Sequence, residues 1–479
     1  VSALKVALLD EDETQLRERY QPSLEAYEQL ILGRQEVEKR TAEALATAEA
    51  HFKKAIELDP NYSLAYVGLA DTYALQRSYS DLTLEQSLEL RAPPIEKAIE
   101  LDPLSGEAYT SKANLLMERG ELERSEEAFE RAVELNPSYA RAYHWYSILL
   151  NDLGRYEEAL ETARKASELD PLSPIIGRNL AGALWDLGRV EEAEFVTMEG
   201  IRKNPDFHNN YGFMAAMQFS LGRIGRAKRW QEEAYRLNPN VGAHAWGCRL
   251  LLELAADEEL EACIASLEAD YPDHPNTTEQ RSRFNSAQGK REANLARLTQ
   301  LRERYSENDV LAQLYDYIRA FHHAQLGDID RARMVMESAY PQFFSNPKPA
   351  VVDNTNWDAA IWAAWIAQQQ GEDELSEVLL QGAEKVIATR HRTRGLGYGV
   401  ADVVILTMRG EEEAALAKLR EAIDEGWRYG WRYTFQPDVR LRPLADDPAF
   451  MAMAREVEAD IAAQREWYFE NRDTPIAQL

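Results

Sequence analysis

An all-α solenoid of antiparallel helix pairs is the fold class that three observations on the 479-residue sequence predict. One phrase closes a helix four times in a row: Ala-Val-Glu-Leu-Asn-Pro ends at Pro137 and Ala-Ser-Glu-Leu-Asp-Pro at Pro171, then Gly-Ile-Arg-Lys-Asn-Pro at Pro205 and Tyr-Arg-Leu-Asn-Pro at Pro239, each 34 residues after the last. Gly120, Gly154, Gly188 and Gly222 keep the same interval. The composition, rich in Ala, Leu, Glu and Arg, favours helix throughout. Two independent markers locked to one period signal a tandem repeat.

The physics of one unit explains both markers. Glycine accepts the turn after the first helix, where a side chain would be strained. Proline ends the second helix because the residue before it is pushed out of the α region. Small residues such as Ala132, Ala159 and Ala166 let the two helices approach closely. One such hairpin cannot bury its apolar face alone, so neighbours stack.

Taken in order, residues 1–22 read as a lead-in helix belonging to a preceding domain, with Leu4, Val6, Leu8, Leu9 and Leu16 apolar. Residues 23–341 read as the solenoid. Its second unit is long, and the excess over Gln76–Leu90 predicts an insertion loop or extra turn. Pro93-Pro94 should shorten or kink the helix that holds them. Four regular units follow, from about Leu104 to Pro239; in the next, Ala255-Ala256 stand where glycine stood. Residues 342–426 open with a long loop and continue as divergent hairpins around Gly371 and Gly410. Residues 427–479 read as an aromatic tail, Trp427 to Phe435, and a solvent-facing capping helix of about Pro448–Phe469 that closes the solenoid end.

The 34-residue interval and its glycine and proline markers resemble the tetratricopeptide repeat family over about two-thirds of the chain. That resemblance implies a right-handed superhelix whose inner groove is lined by the first helix of each unit. A narrower likeness lies at the ends. Pro22-Ser23-Leu24-Glu25-Ala26-Tyr27-Glu28-Gln29-Leu30, Ala50-His51-Phe52-Lys53-Lys54-Ala55-Ile56-Glu57-Leu58-Asp59-Pro60 and Leu441-Arg442-Pro443-Leu444-Ala445-Asp446-Asp447-Pro448 resemble the segment that follows the TolB-like domain in bacterial multidomain regulators. In that family the output domain is a winged-helix domain of the CadC type or a class III adenylate cyclase. The likeness implies a sensory or partner-binding module, periplasmic in the membrane-anchored architecture and cytoplasmic otherwise. The first residue is Val1, not Met, and the chain reads as a fragment or a processed product.

Composition bounds the function. The net charge of −28 argues against nucleic-acid binding by this segment, which needs a basic face. No apolar run reaches the ~18 residues of a membrane helix. No nucleophile elbow, phosphate loop or metalloprotease motif is present, so no catalytic residue, cofactor or metal is assigned and the chain reads as non-catalytic. His322-His323 are adjacent on a helix, about 100° apart, and read as packing or exposed residues.

The repeat phase places Asn114, Arg141, His144, Asn151, Arg178, Trp185, Asn209, Phe219 and Arg249 towards the groove. Arginines beside aromatic residues suit a protein or peptide partner with acidic and apolar side chains; the alternative is that Trp185 and Phe219 pack between units. Thr110 stands where a carboxylate-gripping array has lysine, so no such clamp is expected. Cys248 and Cys263 sit about seven residues either side of one hairpin turn, near the same level of an antiparallel pair. They read either as a disulfide or as two buried thiols. Two rivals to partner binding remain: a self-assembly scaffold forming homo-oligomers, and an enzyme with a site in Gln342–Phe435.

Overall fold

The computed structural model describes residues 20–478 apart from 80–81, 273, 307–308, 346–351, 394–396 and 436–437. Its architecture is an all-α solenoid of antiparallel helix pairs. The chain divides after Gly200 into two compact units. The division falls inside the 23–341 stretch, and the tail of 427–479 shares a compact unit with 201–426. The lead-in helix lies outside the described residues up to Arg19.

The first unit holds α1 (Leu24–Glu38), α2 (Ala42–Leu58), α3 (Ser63–Tyr79), α4 (Leu84–Leu101), α5 (Gly106–Glu118), α6 (Leu122–Leu135), α7 (Ala140–Asp152), α8 (Tyr156–Leu169) and α9 (Pro174–Asp186). Helix α10 (Val190–Lys203) carries the chain across the division. Each odd helix up to α7 packs on the even helix after it, and α1, α3, α5, α7 and α9 also touch in succession. Ser23, Thr41 and Ser105 cap α1, α2 and α5 through side-chain oxygens, each cap worth about 1 kcal/mol.

Both sequence markers do the physical work expected of them. Gly120, Gly154, Gly188 and Gly222 have φ of 74–77°, the left-handed turn that a Cβ disfavours. Asn136, Asp170 and Asn238, each before a proline, have φ between −135° and −143° and leave the helix. The apolar core of this unit falls into separate clusters between neighbouring hairpins. One joins Phe52 to Leu30, Leu45, Tyr62 and Tyr73, and another joins Phe129 to Ala113, Leu116 and Leu149.

In the long second unit the excess takes the form of extra helical turns, α3 having 17 residues and α4 18, and one expectation is corrected. Pro93 and Pro94 lie inside α4, which runs through them. Interior proline costs ~3 kcal/mol, but both halves of α4 are pinned. Ser87 donates to the Tyr73 carbonyl (3.1 Å), Arg91 pairs with Glu118 (3.0 Å), and Ile95 and Ala98 are buried.

The second unit holds α11 (His208–Ser220), α12 (Ile224–Leu237), α13 (Val241–Glu253), α14 (Asp257–Asp270), α15 (Pro275–Ala287), α16 (Arg291–Arg304), α17 (Asp309–Leu326), α18 (Ile329–Ala339), α19 (Trp357–Gln369), α20 (Asp373–Ile387), α21 (Ala401–Met408) and α22 (Glu412–Asp424). A four-residue turn of helix, α23 (Trp431–Thr434), and the long α24 (Pro448–Asn471) end it. One contiguous apolar cluster runs from Ile224 to Tyr468.

The last helix is not a solvent-facing cap. Its Phe450, Met453, Val457, Ile461 and Tyr468 are buried, and it packs on α22 and back on α12. Gln464 receives the Gly225 N–H (3.2 Å) and donates to the Gly222 carbonyl (2.8 Å). Arg229 donates to the carbonyls of Asn471 (3.1 Å) and Thr474 (2.7 Å). Among the described residues no helix is long and apolar enough to cross a membrane.

Candidate functional site

In the first unit the first helices of successive hairpins converge on one inner face. Arg141 on α7 reaches Asp71 on α3 (3.1 Å) and Glu38 on α1 (3.8 Å). Asp71 also accepts from Ser111 on α5, and Asn179 on α9 donates to Ser147 on α7. Residues 70 and 103 positions apart meet only because every second helix presents the same face.

His144 is the buried centre of this face. Burial, with Arg141, Arg40 and Arg178 nearby, pushes its imidazole down to about 4, so it is neutral at neutral pH. Its Nδ1 is buried and has no hydrogen-bond partner among the described residues. Seven residues on, two turns along the same helix side, the Oδ1 of Asn151 is in the same condition. A buried polar atom left unpaired costs about 1–3 kcal/mol, so this pair marks where a polar ligand group would be welcome. At the far end of α7, burial and the neighbouring Asp186 raise the carboxyl of Asp152. The inner face is thus cationic around His144 and acidic at Asp152 and Asp186.

The remaining expected groove residues divide. Asn114 is buried and accepts from Arg91 on α4, a contact between neighbouring hairpins that takes it out of the groove. Trp185 is 6% exposed, which makes it a core residue, not an open anchor. Arg178 is half-buried, and burial lowers its guanidinium. Sequence reasoning missed Arg40, Asp71 and Tyr139. Arg40 could have been found from the turn alignment: it has φ 54° and fills the left-handed slot that glycine takes in later hairpins.

In the second unit the surroundings of Phe219 and Arg249 are taken up by the chain's own tail. Phe219 packs edge-on against Trp246 (4.9 Å between centroids) and stacks on Tyr429 (5.7 Å). Arg249 pairs with Glu253 (2.5 Å), whose carboxylate is fully buried. Glu253 then anchors the tail. The Gly430 N–H donates to its Oε2 (2.8 Å) and the Trp431 indole donates to its carbonyl (2.9 Å). Arg432 grips Asp257 with both guanidinium nitrogens (2.7 and 3.1 Å). Tyr429 donates to the carbonyls of Arg392 and Gly397. Asn209 stays half-buried at the start of α11. The aromatic tail is therefore part of the core of this unit, with Trp427 1% exposed.

Cys248 on α13 and Cys263 on α14 are joined in a disulfide, with Cα atoms 5.6 Å apart. His244 sits one turn before Cys248, and one nitrogen of its ring lies within 4.8 Å of both sulfurs. Burial lowers the His244 imidazole; Asp270 acts against that and Lys228 with it. His322 is a buried packing residue that meets the Asn294 amide (3.1 Å), held at about 3 by burial, Arg291 and His323.

Protein-family models agree with the repeat architecture. Tetratricopeptide repeat models match residues 95–140, 110–174 and 150–217, so the chain carries tetratricopeptide repeats there. Repeats of this family are protein-interaction scaffolds. A comparison with curated protein sequences returns no match. Among solved structures the chain is similar to Pseudomonas aeruginosa pilF, with 23% identity over 47% of this chain and 97% of that one, and a TM-score of 0.36. It is also similar to a tetratricopeptide repeat protein of Parabacteroides merdae, with 20% identity, 54% and 98% coverage and a TM-score of 0.37. PilW, a type IV pilus biogenesis factor, has 19% identity, 45% and 96% coverage and a TM-score of 0.39.

Proposed function

We propose that the chain is a non-catalytic module that binds an extended peptide, carrying acidic and apolar side chains, on the inner face of α1 to α9. We further propose that it serves as the sensory part of a bacterial multidomain regulator. The regulator context rests on the likeness of the end segments to the one that follows TolB-like domains, and it brings a periplasmic placement with it in the membrane-anchored arrangement. The observation that supports this reading is the pair of buried atoms on α7 without hydrogen-bond partners among the described residues, His144 Nδ1 and Asn151 Oδ1, with Arg40, Arg141 and Arg178 around His144. Carboxylates of a peptide would meet the arginines, and its backbone would reach the two orphan atoms.

Selection of a displayed random-peptide library on the full chain tests this. Enriched sequences should carry Asp or Glu beside Leu or Phe, and photo-crosslinks should map to α1–α9. An Arg141→Ala/Arg178→Ala variant should bind at least ~10-fold more weakly, about 1.4 kcal/mol. Crosslinks confined to residues 201–479 would overturn the assignment. A chain that selects nothing and is dimeric or larger by light scattering would replace it with self-assembly.

A further inference from the structure

The Cys248–Cys263 bridge has a third neighbour that a purely structural disulfide does not need. His244 and Cys248 stand four residues apart on α13, which stacks their side chains on one helix side. Cys263 faces them from α14, and the three potential ligand atoms lie within 4.8 Å of one another. The Nδ1 of His244 is buried without a hydrogen-bond partner among the described residues. The Tyr235 ring, 5.3 Å from the imidazole centroid, borders it on α12. Cys263 and His244 are only half-buried, so the cluster has an entry from solvent.

We propose that reduction of this disulfide opens a soft-metal site, in which His244, Cys248 and Cys263 bind one divalent ion of the zinc class. Two electrons from a dithiol or phosphine reductant cleave the sulfur–sulfur bond, and each sulfur takes up one proton. A divalent ion then displaces those two protons and binds both thiolates and one imidazole nitrogen. Tetrahedral bonds of about 2.3 Å to sulfur set the sulfurs about 3.8 Å apart. Rotation about the two Cα–Cβ bonds supplies that spacing with the helices where they stand, their Cα atoms 5.6 Å apart. Three protein ligands leave a fourth position for water or an added ligand. In the oxidised chain both sulfurs are spent on each other and the site is closed. The hairpin thus trades a covalent staple for a metal staple according to the redox state around it. This inference is independent of peptide binding on α1–α9.

The test uses the full chain, reduced with a water-soluble phosphine under argon and titrated with Co²⁺ alone as the spectroscopic stand-in for zinc. The expected result is one Co²⁺ per reduced chain, with near-ultraviolet sulfur-to-cobalt charge-transfer absorption and visible bands of a tetrahedral ion. The unreduced chain should show neither. His244→Ala and His244→Asn should both bind at least ~10-fold more weakly. Absence of charge-transfer absorption in the reduced chain would overturn the proposal. So would His244 variants with unchanged affinity and spectrum, or loss of far-ultraviolet helical signal on reduction alone, because the two helices would then not persist without the bridge.

Discussion

The hairpin at Gly154 and the hairpin at Gly222 are the same repeat two periods apart, and they live in different worlds. Both glycines hold the left-handed turn, with φ of 75° and 74°. A Cβ added at Gly154 would meet nothing within 4 Å, whereas at Gly222 it would lie 2.2 Å from the Gly426 carbonyl oxygen. The first turn is an open edge of a stack in which each hairpin leans on its neighbours. The second is covered by a tail more than 200 residues further along. A repeat therefore fixes the shape of its own hairpin but not what is laid over it. The same phrase in the sequence can end as an open edge or under a covering segment.

The largest expected effect falls on the clasp. Glu253→Ala leaves the Arg249 guanidinium unpaired and removes the acceptor of the Gly430 N–H. Breaking a buried pair in this way costs about 3–5 kcal/mol. Hydrogen–deuterium exchange should show protection lost across α11–α14 and α24, with α1–α9 unchanged. Equal loss in both units would dissolve the contrast.

Next comes the glycine pair itself. Gly154→Ala should cost only the left-handed strain, about 1–2 kcal/mol. Gly222→Ala should add about 1–3 kcal/mol of overpacking against Gly426. Urea midpoints of the two variants measure the difference, and equal shifts would mean that the tail does not bear on Gly222.

Acid sharpens the comparison within each unit. The folded chain holds His144 at about 4 and His322 at about 3, against 6.5 for a free histidine. The unfolded chain therefore takes up the proton first as pH falls. Stability is full above pH 6.5, falls towards pH 4 for His144 and pH 3 for His322, and is constant below. At about 1.4 kcal/mol per pKa unit the fall is about 3 kcal/mol for His144 and about 5 kcal/mol for His322. His144→Gln should flatten the pH dependence of exchange protection in residues 20–200 alone, and His322→Gln in 201–478 alone.

The smallest effects are gains. Arg40 and Ala255 hold φ of 54° and 53° without being glycine. Ala255→Gly should stabilise the second unit by about 0.5–1 kcal/mol, the relief of strain less the entropy that glycine adds to the unfolded chain. Arg40→Gly should gain as much in the first unit while raising the pKa of His144, because one of its three flanking cations is gone. Thermal unfolding and a histidine proton titration by NMR read the two parts.

The repeating half of this architecture was legible because each marker acts locally: a glycine sets its own turn and a proline stops its own helix. The clasp was not, because its contacts join residues 175 to 245 positions apart and leave no period. One local sign was present. Phe450, Met453, Val457, Ile461 and Tyr468 recur at steps of three, four and seven, a stripe too apolar for a helix facing water. The proposed face was half legible: repeat phase named Arg141, His144 and Asn151, which share one inner face, but it also selected Asn114 and Trp185, which are buried. Phase gives direction from the helix axis, not depth. His244 was passed over beside Cys248, although its four-residue offset was in plain sight.

The return of the last helix to α12 sets an order of events at the ribosome. The hairpins before Gly200 can complete their small clusters one after another as they emerge. Gly225 must wait for Gln464, 239 residues later, which at about 5–20 residues per second is a delay of roughly 10–50 s. Throughout that interval the edge around Gly222, Phe219 and Glu253 has no tail to cover it. Nascent α11–α14 are the stretch that a chaperone would have most reason to hold.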